Sequence, residues 1–488
     1  MEKGCSENRF SQFKKKAFLL VFFLAAAAGC FLRFYNLPKN VEFGWDQETT
    51  ASQVLTMVRN KKPLLIGPRV GPAKFFLGPA YYYLAAPFLL ASNFNPLGLY
   101  YCSVCLGILA GLILFFVSRD VFNERVAQIG IMIYSLSPLV VHFDRIPWNV
   151  NLLILASLLV FWANYKIFVQ NSPDKKIYLV LGLGIGLGLQ AHLTAVSFLL
   201  VLPPLFLLKR RDWRKAGLSL LVVFFSLLPL FVFDFRHQFF NLKGIIQFLA
   251  SNSSPLPELS FVQRLINTGR ISWELVGKLL VNYQGNYYHL KVVLGALVWF
   301  YGLLLLFRKK REFYLLFLFL LVSPLVLAFD CGSIPEYYFL LQAPFLIILT
   351  AYFFARWWKQ FPCGLFVFLV IYLFFLGWQS FISVQTINDE SLFYKQQAVE
   401  YILEEAGGRP FKLNPVAKKG RDVGFNYFFT RQGQLPVEKA NLEFFLVYPF
   451  IPEMGNNYFN YYPQMPGESL TEYQEFGAYG VKKVEKEL

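Results

Sequence analysis

The chain has 488 residues, 56% hydrophobic and 19% aromatic, with a mean hydropathy of +0.45, which excludes an ordinary soluble domain. A formal net charge of +16 invites a nucleic-acid reading, but the basic residues sit as short flanks of apolar runs, the pattern of topology determinants. No nucleic-acid partner is expected. The six cysteines, at 5, 30, 102, 105, 331 and 363, imply no pairing; Cys102 and Cys105 lie three apart inside an apolar run, where packing is the simpler role.

From an inner N-terminus, a first span over about 17–34 follows Lys14-Lys15-Lys16 and lacks a small-residue cleavage site, so it reads as a retained span. It delivers an outer loop of about 36–96. Within that loop Phe75–Ala91 is apolar but carries Pro79, Pro87 and Tyr81-Tyr82-Tyr83, which suits an interfacial segment. Spans over about 97–118, 126–141, 150–169, 177–191 and 193–208 follow, with basic gaps at Arg119–Arg125, Lys175-Lys176 and Lys209-Arg210-Arg211. A span over about 216–233 opens a second outer loop of about 234–290, helical around Phe261–Val281. Spans over about 291–307, 313–329, 338–355 and 362–380 bring the expected total to about eleven. Gly182, Gly184, Gly186 and Gly188 allow close helix contact; no strand flanks them as a nucleotide loop would require.

Beyond about 385 the character changes. Ser391–Glu405 reads as an amphipathic helix ending at Gly407-Gly408, followed by strand-like stretches at Phe411–Val416, Phe425–Thr430 and Leu442–Tyr448, separated by turn residues. The expected fold class is an all-α polytopic membrane protein over 1–384, with interfacial helices in the first outer loop, plus a small extracytoplasmic α/β domain over 385–488.

The basic clusters fall in alternate gaps, which places nearly all unusual polar residues on one outer face. Asp46, in Phe43-Gly44-Trp45-Asp46-Gln47-Glu48, is either a general base or the N-cap of a helix over Gln47–Arg59. Asp144-Arg145 is either a local ion pair or a site element, with Arg145 offering its planar fork to a phosphate. His192 lies at a tight turn between two short spans, a structural imidazole or a substrate contact. Arg236 and His237, after Asp234, suit an anionic headgroup or interfacial snorkelling. Glu336-Tyr337-Tyr338 opens the span over 338–355.

In this order, these pieces resemble the GT-C superfamily of membrane glycosyltransferases, in the branch of protein O-mannosyltransferases and lipid A aminoarabinose transferases. The carrying residues are Asp46, Pro79-Ala80-Tyr81-Tyr82, Ser137-Pro138 through Asp144-Arg145 to Asn149, Gly182–His192, Pro229 through Asp234 to His237, and Pro335-Glu336-Tyr337-Tyr338 with Pro344. They cover roughly residues 15–380. The departures are specific: the family's adjacent Asp-Glu pair is here Asp46-Gln47 with Glu48 displaced by one, and its His-Pro-Pro is Leu77-Gly78-Pro79-Ala80.

The resemblance implies inverting transfer of a sugar from a polyprenyl-phosphate-linked donor to a lipid, glycan or protein hydroxyl, on the outer face of a bacterial inner membrane. It gives the base role to Asp46, with Glu48 as the local backup. A departing lipid phosphate needs positive charge, for which Arg145, Arg236 and His237 are the candidates; Asp144, His192, Glu336 and Tyr337 would line the pocket. No cofactor is read from the residues, and the resemblance leaves a divalent metal open without naming its ligands. Two other classes are weighed. A flippase or transporter would place ionisable groups near mid-span in paired repeats, which are not seen. A polysaccharide polymerase or ligase is compatible with the long loop 234–290, but the early Asp46 loop favours the GT-C reading.

Overall fold

In hydrocarbon a lone segment satisfies every backbone N–H and C=O only as a helix, and among the described residues the long apolar runs before residue 385 are helices. The computed structural model describes residues 2–70, 75–200, 213–250, 259–329, 334–358, 360–417, 423–450 and 472–486. In chain order the helices are α1 (Glu2–Phe34), α2 (Leu37–Asn40), α3 (Trp45–Asn60), α4 (Ala80–Ala91), α5 (Leu97–Val121), α6 (Glu124–Leu136), α7 (Pro138–Asp144), α8 (Leu152–Asn164) and α9 (Lys175–Ala191). Then come α10 (Trp213–Arg236), α11 (Phe240–Ala250), α12 (Phe261–Leu280), α13 (Tyr288–Leu306), α14 (Arg311–Leu327), α15 (Ala343–Trp357), α16 (Pro362–Gln385), α17 (Leu392–Ala406) and α18 (Asn426–Gln432). Two units result, one of Met1–Phe34, Leu64–Tyr81 and Cys102–Ser383, the other of Tyr35–Pro63, Tyr82–Tyr101 and Val384–Leu488.

Among the described residues, seven helices are long and apolar enough to cross a membrane, and eight if the bent pair Glu124–Leu136 and Pro138–Asp144 counts as one. The protein is an integral membrane protein. These eight correspond to eight of the eleven expected spans. Of the other three, α9 and α14 are helices of 17 residues, about 26 Å long at the usual rise, and the span expected over 193–208 runs beyond the described residues, as do Lys209-Arg210-Arg211. Phe75–Ala91 yields only the 12-residue α4, about 18 Å and short of a bilayer core.

The first unit shows why its alternate glycines matter. A Cβ on Gly182 would meet Ser219 O at 2.5 Å, and one on Gly186 would meet Ser226 Oγ at 2.4 Å, while Gly184 faces Val160 and Leu159 at 2.9–3.0 Å. Glycine thus lets α9 press against α10 on one side and α8 on the other, the close contact that binds helices where lipid supplies no hydrophobic drive.

The bend of 63° between α6 and α7 follows from Pro138, which cannot continue a hydrogen-bonded helix and forces Ser137 into an extended conformation. Ending α6 there leaves carbonyls without helical partners. Side chains take them: Arg33 Nη1 donates to Ser135 O at 2.8 Å, Arg33 Nη2 to Tyr134 O at 3.4 Å, and Ser380 Oγ to Leu136 O at 2.8 Å.

In the second unit a four-stranded sheet has the order β1-β2-β4-β3, with β1 (Phe411–Ala417), β2 (Leu442–Tyr448), β3 (Gln474–Phe476) and β4 (Tyr479–Glu485). β1 and β2 run parallel with Phe411 opposite Leu442; β2 and β4 run antiparallel. The loop after α1 is woven into this unit. Leu392 N donates to Val41 O and Asn388 N to Lys39 O, both at 2.8 Å. Phe425–Thr430, expected as strand-like, instead forms the N-cap and first turns of the short helix α18, bracketed by Gly424 and Gly433 at positive φ; four aromatic residues in six do not distinguish a buried turn of helix from a strand.

Candidate active site

Each unit carries its own set of polar residues. In the second unit α3 begins at Trp45 with Gly44 as N-cap, and the Gln47 side chain accepts from Gly44 N at 3.1 Å. Asp46 is therefore not the cap weighed from the sequence. It sits in the first turn, where a carboxylate is favoured by the helix dipole, and it is exposed beside an exposed Trp45. Its charge reaches Tyr82 of α4, whose hydroxyl is held well above its ordinary pKa by burial and by the Asp46 carboxylate. Glu48, expected as the local backup, is differently employed. Its two oxygens accept from Gly424 N at 2.8 Å and Tyr427 N at 3.0 Å, capping α18.

In the first unit Asp144 and Arg145 end α7. Asp144 is 3% exposed and takes Arg33 Nε at 2.8 Å; a Cβ at Gly107 would lie 2.2 Å from its carboxyl carbon, so a glycine makes the room. Arg145 is 2% exposed, and its Nη1 donates to Leu32 O at 2.8 Å and Arg33 O at 3.2 Å. In this structure Asp144, expected in the pocket, and Arg145, expected at the phosphate, both make structural contacts. The partner that answers the acid is Arg33, not its neighbour.

Half-buried in this unit is an aromatic and ionic group around Glu336-Tyr337-Tyr338. Tyr283 Oη donates to Glu336 Oε1 at 2.6 Å, and Lys278 of α12 pairs with Glu336 Oε2. The Tyr283 ring stacks on His142 at 4.0 Å. Tyr337 packs on Trp148 at 4.6 Å, and Tyr338 on His192 at 4.4 Å. His192 is half-buried, and burial lowers its pKa to about 4, so the ring is neutral near pH 7. Its Nδ1 accepts from Thr194 N at 3.2 Å, which leaves the proton on Nε2. A cavity of about 270 Å³ opens beside the pair, lined by Ile271, Glu274, Leu275, Lys278, Ile334 and Glu336.

Arg236 ends α10 and His237 follows it. Arg236 is exposed, and His237 is exposed with Nδ1 2.8 Å from Phe233 O and its ring on Phe233 at 4.1 Å. Asp234 is spent on α11, accepting from Asn241 N at 2.6 Å and Leu242 N at 3.1 Å. The structure thus brings His192, Glu336 and Tyr337 together. Arg33, His142, Trp148, Lys278 and Tyr283 escaped the sequence reading. Only the amphipathic pattern of 261–281 hinted that Lys278 lies on a packed helix. Among the described residues no group of three or more His, Cys, Asp or Glu is placed to hold a metal ion.

The comparisons with known proteins agree on the architecture. Residues 77–233 match the family model described as dolichyl-phosphate-mannose-protein mannosyltransferase. ArnT from Cupriavidus metallidurans in its apo state superposes with a TM-score of 0.60 at 12% identity, over 98% of each chain. The same protein bound to undecaprenyl phosphate gives 0.61 at 12% identity, over 94% of this chain and 97% of that one. The oligosaccharyltransferase of Archaeoglobus fulgidus gives 0.51 at 14% identity, over 94% of this chain and 67% of its own. No curated protein matches the chain in sequence. The fold these findings define is that of the GT-C membrane glycosyltransferases.

Proposed function

We propose that the protein transfers a sugar from a polyprenyl-phosphate-linked donor to an acceptor hydroxyl, at the outer face of a bacterial inner membrane. One observation carries the reading: a GT-C fold shared along nearly the full length of both chains with a protein solved bound to undecaprenyl phosphate. The family match over 77–233 supports it. In this reading Asp46 takes the proton of the acceptor hydroxyl as that oxygen attacks the anomeric carbon. The bond from that carbon to the phosphate oxygen breaks, and polyprenyl phosphate leaves with the electron pair. Exposed Arg236 and His237 are assigned to the phosphate. His192, Tyr337 and Glu336 are assigned to the sugar, a ring-stacking surface with a neutral N–H donor and a carboxylate. No step is routed through a metal.

The test is transfer by the purified full-length protein, offered polyprenyl-phosphate sugars alongside nucleotide sugars, with lipid, glycan and peptide acceptors read by mass spectrometry. Transfer from the lipid-linked donors alone is the expected result; transfer from nucleotide sugars alone would overturn it. Sidedness is read separately, by impermeant labelling of a cysteine placed at Glu443 in whole cells. Asn252, the other natural labelling position, lies outside the described residues.

A further inference from the structure

The segment that carries Asp46 is gripped at both ends by the part of the chain that follows residue 384. Glu48, near the start of α3, accepts from Gly424 N and Tyr427 N at the start of α18. Arg59, in the last turn of α3, donates from Nη1 to Thr430 O and from Nη2 to Arg431 O, both at 3.1 Å, at the end of α18. The two helices therefore lie side by side and parallel. An acid meets the positive end of α18 and a guanidinium the negative end, so both contacts also suit its dipole. A third tie secures the entry to α3. Lys395 of α17 is 3% exposed, and its Nζ donates to Phe43 O at 2.7 Å and Val423 O at 3.0 Å. Phe43 packs its ring on Phe428 at 5.4 Å. Gly424 has φ +93 and comes so near that a Cβ would meet Phe43 O at 2.3 Å, so only glycine permits the approach.

Geometry turns this grip into a statement about the base. Residues two apart on a helix project about 200° apart, so fixing Glu48 against α18 turns Asp46 to the opposite side of α3. There it is exposed, with its charge felt at Tyr82.

We infer that the C-terminal domain is a clamp on the helix of the catalytic base, with Glu48, Arg59 and Lys395 as positioning residues that set where the Asp46 carboxylate points. The inference deepens the proposed reaction and rests on Asp46 being its base. It also explains the displaced acid: the carboxylate that the family pattern sets beside the first is shifted by one, onto the face that meets α18.

Two readouts on the full-length protein test it. Hydrogen exchange across residues 45–60 should quicken in Glu48→Ala relative to the parent, while exchange in α8 and α15 stays the same. In kinetics, Glu48→Ala should lower kcat roughly ten- to a hundredfold with donor KM unchanged, the size of effect a small misplacement produces. Glu48→Gln, which keeps one acceptor oxygen, should fall between. In an Asp46→Asn background, Glu48→Ala should cost nothing further, because a positioning residue acts only through the group it positions. Losses that multiply in the double variant, or unchanged exchange over 45–60, overturn the clamp. If Glu48→Ala does not accumulate, Glu48→Gln carries both readouts. Asp46→Asn turning over at the parental rate removes the base assignment alone, and the exchange result still decides the clamp.

Discussion

Asp144 at the end of α7 and Asp46 at the start of α3 look alike in the sequence, each a carboxylate next to an apolar stretch and an aromatic residue. Their surroundings separate them. Asp144 is walled in, matched by Arg33 at 2.8 Å and seated on Gly107. Asp46 stands exposed in a first helical turn, on a helix held by its other faces. One acid completes a structural repair of a broken span. The other stands at the surface of its unit, on a helix that its neighbours hold. The lesson is that a carboxylate's chemistry follows from who claims its oxygens.

The widest gap between the two should appear on removal. Asp144→Ala leaves the Arg33 guanidinium buried without its counter-charge, a change that typically costs roughly 3–5 kcal/mol. A sharply lowered melting transition in detergent, or loss of folded protein, is the expected outcome. Arg33→Met with Asp144→Leu should recover much of that loss, since replacing both partners removes the orphaned charge. An Asp144→Ala protein melting like the parent would break the contrast. Asp46→Asn inverts the pattern: kcat should fall by about a hundredfold or more, with the melting transition unmoved and donor still bound. Near-parental turnover would make Asp46 a structural residue too.

The sequence carried this contrast only halfway. Elements whose own periodicity is strong were legible: β2 occupies Leu442–Tyr448 as expected, and Phe261–Val281 and Ser391–Glu405 are helices within a residue or so at each end. The bend at Ser137-Pro138 was written in the proline, yet the partner it requires was not. Arg33 lies 111 positions before Asp144 and reads locally as the basic end of a first span. Lys278 and Tyr283 fell within what looked like a long loop, and Glu336 is 58 and 53 positions away from them. Pairing across helices is set by packing, and no local period encodes it. Asp46 was legible as an acid in a helix start but not as an uncapping one, because Gly44 and Asp46 both suit the N-cap and only the backbone at Gly44 decides between them.

A smaller effect sharpens the comparison from the side of the aromatic lip. His192 is neutral because burial lowers its pKa to about 4 from 6.5. Between those values an unfolded chain takes up a proton that the folded protein does not, so the unfolded state gains as pH falls. Stability from this site is fully present above pH 6.5 and is lost progressively as pH drops toward 4. His192→Gln should flatten that part of the melting-temperature profile while leaving the profile above pH 7 unchanged. An unaltered acid limb would place the lability elsewhere.

The smallest expected effect belongs to Arg236, which unlike Arg145 keeps an exposed guanidinium. Arg236→Lys preserves the charge and loses the planar fork. An exposed charged contact contributes about 1 kcal/mol or less, so donor KM should rise by up to about fivefold with kcat and melting unchanged. Raising salt should narrow the difference, since an exposed pair is screened. Arg145→Lys should behave in the opposite way, lowering the melting transition through its lost carbonyl contacts at Leu32 and Arg33 while leaving donor KM in place. If instead Arg145→Lys raises donor KM and leaves melting alone, the buried guanidinium opens to the phosphate in the working protein, and the division drawn between walled and open groups fails at its own boundary.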